Sequence, residues 1–128
     1  MPLVKIDILE GRNEEELTQL ADVIQEVMME TFAAPKRDRF QIINEHKPGQ
    51  LKILDAGLGY TRTDKIVFIQ VTQQGRSRAQ KQAMYARMSE KLKTIGIPPT
   101  DLIISVVENK KEDWSFGEGK AQFLTGDL

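Results

Sequence analysis

An internal repeat restricts this chain more than any other feature of its sequence. Pro35, Asp38 and Glu45 recur as Pro98, Asp101 and Glu108 with the same mutual spacing. Each triplet closes the same order of elements. Val4 to Ile8 alternates apolar and polar residues, the period of a half-buried strand. Asn13 and Glu16 then have the spacing of a reciprocal helix cap, in which each side chain accepts from the other's main-chain N–H. Leu17, Leu20, Ala21, Ile24, Val27, Met28 and Phe32 follow at helical spacing, Pro35 ends the helix, and "RFQIINEH" makes a second strand. In the second half "KIVFIQVT" is a strand and Ser77 and Gln80 form another cap. Met84, Met88, Leu92 and Ile95 lie along a helix that Gly96 stops, and "DLIISVVEN" follows Pro98 and Pro99. The expected class is α+β: two duplicated βαβ units, residues 2–48 and 65–110, forming a four-stranded mixed sheet with two helices on one face. Residues 1–128 are expected to form a single domain.

A right-handed crossover makes the two strands of each unit parallel. If a pseudo-two-fold relates the units within one sheet, their strand pairs run antiparallel to each other. Pro2 at the start of the first strand and Asp38 before the second then share one end of the sheet. The stretch "QQGRSR", closing the third strand and opening the second helix, arrives at that end too. Val4, Ile6, Ile8, Val67, Ile69 and Val71 should lie under the helices. Leu3, Lys5, Asp7, Leu9, Phe68, Gln70 and Thr72 form a mixed outer face with no helix to cover it. Such a face suits contact with further copies of the chain.

Composition removes several classes of function. Eighteen basic and nineteen acidic residues are interspersed, which leaves no polyelectrolyte face for nucleic acid or an anionic membrane. There are no cysteines and a single histidine, so neither a thiolate site nor a multi-histidine metal centre is expected in one chain, and no cofactor is implied. Without cysteines the chain suits a reducing compartment. No apolar run reaches the length of a membrane span, and no signal-peptide pattern opens the chain. A cytoplasmic protein is expected. His46, beside a Lys-Pro-Gly turn, is expected to be exposed and inert, and Gly57-Leu58-Gly59 and Gly117-Glu118-Gly119 to be turns rather than nucleotide loops.

Pro2 admits two readings. A proline at a strand's first residue is tolerated because it has no ladder N–H to lose. Removal of Met1 would instead leave a free secondary amine, and an N-terminal amine titrates at about 7.7–8.0, close to neutrality. An apolar wall and a nearby guanidinium lower that value, whereas a carboxylate raises it. A neutral amine is a base and a protonated one an acid. Asp38 also reads as a turn residue before a strand, and Arg76 as a solvated helix approach.

The stretches "MPLVKIDILEGR", "PKRDRFQIINEHKPG", "GYTRT" and "DWSFGEGKAQFLTG" together resemble the tautomerase superfamily, and within it the malonate semialdehyde decarboxylase-like group. The resemblance spans the chain. It implies the tautomerase (MIF-like) fold, loss of Met1, a homotrimer and a small carboxylate-bearing substrate. Carried over by motif, Pro2 is the catalytic amine, Asp38 the carboxylate beside it and Arg76 the substrate-binding guanidinium. Segment 111–128 supplies the pocket through Trp114, Phe116, Phe123 and Leu128. The decarboxylase pattern has two arginines one residue apart before the second helix. This chain has Gln74 and Arg76 there, with Arg78 two residues further on. The expectation is therefore a tautomerase acting on 2-keto acids with Pro2 as base. The alternatives are a decarboxylase or hydratase, or a trimeric binding protein on the same fold.

Overall fold

A computed structural model describes residues 2–128. The expected removal of Met1 concerns a residue outside the described ones. The elements are β1 (Leu3–Leu9), α1 (Glu14–Phe32), β2 (Phe40–His46), β3 (Val67–Gln74), α2 (Arg78–Lys93), β4 (Leu102–Asn109) and a short α3 (Gln122–Thr125). The strand order is β2-β1-β3-β4. β1 runs parallel to β2, β3 runs parallel to β4, and the central pair β1–β3 is antiparallel. This is the duplicated βαβ sheet expected from the repeat.

Strand alternation builds the core. Val4, Ile6, Ile8, Val67, Ile69 and Val71 are each no more than 1% exposed. Leu20, Ile24, Val27, Met28 and Phe32 of α1 and Met84, Met88 and Leu92 of α2 pack over them. Burying one such side chain contributes about 1.5–3 kcal/mol. Both caps form as read. Asn13 Oδ1 accepts from Glu16 N at 2.8 Å, and Ser77 Oγ accepts from Gln80 N at 3.0 Å. Glu30–Arg87 at 2.8 Å and Glu26–Lys91 at 3.8 Å bridge the two helices on the solvent side.

Some boundaries differ from the sequence reading. α1 stops at Phe32 because Ala33 takes a left-handed conformation (φ 53°, ψ 33°), so Pro35 follows the break and does not make it. β3 begins two residues later and runs two residues further than the apolar run, because its ladder to β4 continues through Gln73 and Gln74. Ile95 lies in the turn after α2, with its N–H donating to Leu92 O at 3.1 Å. His46 is not an exposed, inert turn residue. It is half-buried on the outer sheet face, with Nε2 2.7 Å from Asp7 Oδ1.

The loop between the two units is ordered by Asp101, which is fully buried. Its carboxylate accepts from Thr63 N at 2.7 Å and from the Thr63 hydroxyl. Among the described residues no helix is long and apolar enough to cross a membrane.

Candidate active site

Strand register locates the site. Leu3 is paired with Phe40 on one side and with Thr72 on the other, so Pro2 sits where β2 begins and β3 ends. Pro2 is buried. It has the strand parity of Val4 and Ile6, as does Gln73 on the neighbouring strand, which is 1% exposed. Asp38 lies two residues before β2, half-buried, with its N–H donating to Pro35 O at 2.9 Å. Arg39, between Asp38 and Phe40, is turned away to Asp22 at 2.7 Å and Gln41 at 2.8 Å.

Arg76 reaches this end of the sheet from the loop between β3 and α2. Its Nε and Nη2 both donate to Phe32 O, at 3.1 and 3.0 Å, and Nη1 donates to the Gln74 and Gly75 carbonyls, each at 3.0 Å. The guanidinium lies 5.7 Å from the centroid of the Phe32 ring. It therefore caps the C-terminus of α1, where main-chain carbonyls lack helical partners and cations are stabilised. Burial pushes its pKa down. On β4, the Glu108 carboxylate accepts from the Lys81 ammonium. That contact holds Glu108 below the usual carboxylate range.

The C-terminal segment closes over the outer face at the same end. Trp114 Nε1 donates to Asn109 Oδ1 at 3.0 Å, and Asn109 is the register partner of Gln74. Trp114 stacks on Phe116 (centroids 5.4 Å apart), Phe116 meets Phe123 edge-on at 5.6 Å, and Phe116 also touches Phe40 at 5.5 Å. These rings run from β4 towards β2, across the sheet end where Pro2 lies.

Three of the four expected pocket residues thus come together. Leu128 stays apart, 60% exposed, with its N–H donating to Gln122 O at 3.3 Å. Arg78 is exposed as the first residue of α2, and Gln74 is half-buried on the outer face. The sequence reading missed Phe40, Asn109 and the Phe32 carbonyl. The strand parity shared by Leu3 and Phe40 could have found Phe40. No sequence signal marks a carbonyl. An open groove of about 1070 Å³ runs along α1 beside Arg39 and Ile43. Pro2, Asp38, Arg76 and the aromatic rings are not among its lining residues, so register rather than concavity points to the candidate site.

Two family models, both described as tautomerase enzyme, match residues 2–59 and 38–117. The probable tautomerase YrdN of Bacillus subtilis (strain 168) is 46% identical over the full length of both chains. This chain belongs to the tautomerase family. A second relative of this tautomerase, the probable tautomerase YusQ of the same strain, is 33% identical over 97% of this chain and 99% of its own. A crystal structure of malonate semialdehyde decarboxylase is 40% identical, covers 98% of both chains and superposes with a TM-score of 0.96. The FG41 malonate semialdehyde decarboxylase is 41% identical over 98% of this chain and 97% of its own, with a TM-score of 0.95. The tautomerase is thus of the malonate semialdehyde decarboxylase-like group, and its activity is of the tautomerase type.

Proposed function

We propose that the tautomerase interconverts keto and enol forms of a small 2-keto acid, with the Pro2 amine, freed of Met1, as the proton carrier. The register that seats Pro2 between Phe40 and Thr72, at the sheet end where Arg76 and the aromatic cluster converge, carries this reading. The amine lone pair takes a proton from the carbon beside the keto group. The C–H electron pair becomes the new C–C π bond and the carbonyl pair moves to oxygen. Returning the proton regenerates the keto form. The desolvated guanidinium of Arg76 and the ring wall both favour a neutral amine. Asp38 opposes them and would retain a proton for acid chemistry. Arg76 binds the substrate carboxylate by exchanging neutral carbonyl acceptors for a charged one, which makes the stronger hydrogen bond. Trp114, Phe116 and Phe123 line the apolar side, with Gln74, Arg78 and Leu128 at its margin.

The working unit is a homotrimer. Phe40, Ile42, Val107, Leu124 and Leu128 are between 38% and 66% exposed in one protomer, an apolar load that suits subunit contact. Solved structures of fused 4-OT, described as trimers, share the fold at TM-scores of 0.76–0.78.

The likeness to a decarboxylase described as having decarboxylase and hydratase activities favours a second reading, in which protonated Pro2 acts as an acid. One experiment separates the readings. The Met1-free protein, verified by intact mass, is assayed side by side on phenylenolpyruvate and on malonate semialdehyde, together with a Met1-retaining form and Gln74→Arg. Enol turnover only in the Met1-free form is the expected result, with any decarboxylation raised by Gln74→Arg. Equal turnover with and without Met1 would remove Pro2 from the mechanism, because an acylated proline nitrogen has no basic lone pair. Sedimentation of the same sample as a monomer at micromolar concentration would remove the trimer.

A further inference from the structure

We propose that Gln122 is the positioning residue for the ring wall, its side-chain amide fixing Phe116 against Phe123 so that substrate meets a preformed surface. The inference rests on the reading of these rings as the apolar side of the substrate pocket.

Phe116 is the centre of the wall. It stacks on Trp114 at 12°, meets Phe123 edge-on at 80°, and is the ring that reaches Phe40. Between Phe116 and Phe123 the chain reverses through Gly117, Glu118 and Gly119, all at positive φ (143°, 60° and 67°). Glu118 is the residue for which that conformation is unfavourable, so the turn depends on contacts that hold its ends. Gln122 supplies them. Its Oε1 accepts from Phe116 N at 2.9 Å and its Nε2 donates to Gly117 O at 2.8 Å. Reversing the amide would set donor against donor and acceptor against acceptor, so the pair of bonds admits one orientation. The main chain of Gln122 leads directly into Phe123. One residue thus relates the main chain beneath Phe116 to the main chain beneath Phe123, and a surface fixed before binding spares the substrate the cost of ordering it.

The same segment holds a comparison. Thr125 Oγ1 donates to Asp127 Oδ2 at 2.6 Å, an exposed bond just after Gln122. Neither residue takes part in the ring contacts of Phe116. That bond ties the tail of the segment, and the Gln122 amide ties the rings.

The test uses the Met1-free protein on phenylenolpyruvate, followed by its turnover, and on pyruvate, followed by deuterium exchange beside the keto group. The variants are Gln122→Met, Gln122→Glu, Phe116→Ala, Asp127→Ala and the double variant Phe116→Ala/Gln122→Met. Gln122→Met keeps the length of the side chain without its hydrogen bonds. It should raise KM for phenylenolpyruvate about 3- to 10-fold, the equivalent of one ordinary hydrogen bond. Its kcat, and its KM for pyruvate, which carries no ring, should change less than about twofold. Trp114 is the sole tryptophan, so loosened rings should weaken the near-ultraviolet circular dichroism while the far-ultraviolet signal stays. Gln122→Glu sets a carboxylate against the Gly117 carbonyl and should show the same weakening. On acidification its protonated acid can donate again, and the signal should recover relative to the parent. Asp127→Ala should match the parent. The double variant should be no worse than Phe116→Ala, because a latch is idle without the ring it holds.

Thermal melts show whether each variant is folded. Phe116→Leu replaces Phe116→Ala if the latter does not fold, and the acid recovery of Gln122→Glu decides if Gln122→Met does not. An unchanged KM for phenylenolpyruvate in Gln122→Met, an equal rise for pyruvate, additive losses in the double variant, or an equal effect of Asp127→Ala overturns the proposal. If Phe116→Ala itself leaves KM unaltered, the rings are not the substrate wall and the role of Gln122 falls with them. An effect of Phe116→Ala without one of Gln122→Met sinks the latch alone.

Discussion

Asp38 and Asp101 occupy equivalent places in the two halves and have opposite surroundings. Asp101 is fully buried and engaged by both donors of Thr63. Asp38 is half-buried at the sheet end that holds Pro2. Asp101→Ala strands the Thr63 donors and should lower stability by about 2–4 kcal/mol. Asp38→Ala should cost less than about 1 kcal/mol while changing the pH profile of turnover. Urea midpoints for the two variants check the contrast, and equal losses would mean that Asp38 is structural too. The sequence marks these residues as twins by spacing but cannot tell the buried anchor from the half-buried residue at the Pro2 end. That distinction depends on Thr63, which stands 38 positions from Asp101. His46 was misjudged for a similar reason, since its partner Asp7 lies on a different strand.

At the scale of elements, legibility follows the range of the interactions. The caps of α1 and α2 were readable because each closes within a single turn of chain. The ends of α1 and β3 were not, because a left-handed Ala33 and the continued pairing of Gln73 and Gln74 answer to tertiary contacts. Two of the surface ion pairs have a pH consequence. Arg87 holds Glu30 below the usual glutamate range, chiefly by direct hydrogen bonding, and Lys81 does the same for Glu108. A carboxylate with a lowered native pKa takes up protons more readily when unfolded, so stability increases with pH across that interval. The contribution is complete above the ordinary carboxylate range and disappears as the pH falls through the native values. Arg87→Met should therefore lower stability slightly at neutrality, where the contribution is complete, and converge on the parent at low pH, which flattens the acid limb of a stability-against-pH curve. An unaltered acid limb would show that the Glu30 pair carries no linkage.

For the whole molecule, the repeat made the topology legible and strand parity made the two sheet faces legible. What remained hidden was how the halves depend on each other. The inner residues of β1 and β3 form the centre of one core, and α1 and α2 pack over both. Leu3 meets Phe40 across about 37 residues and Thr72 across about 69, yet closing the longer loop costs only about 0.5 kcal/mol more. Chain connectivity thus does little to favour assembly of one half before the other, and the β1–β3 seam has the character of an interface within a core. A peptide bond cut between Gly57 and Leu58, in the exposed loop, should therefore be tolerated. The two fragments should each be unfolded alone and should combine in equal proportion, with a circular-dichroism signal that appears only on mixing. A first fragment freed of Met1 would keep the Pro2 amine, so on the proposed mechanism turnover should return with the fold. Covalent continuity between the two βαβ units would then be a convenience of synthesis rather than a requirement of the architecture.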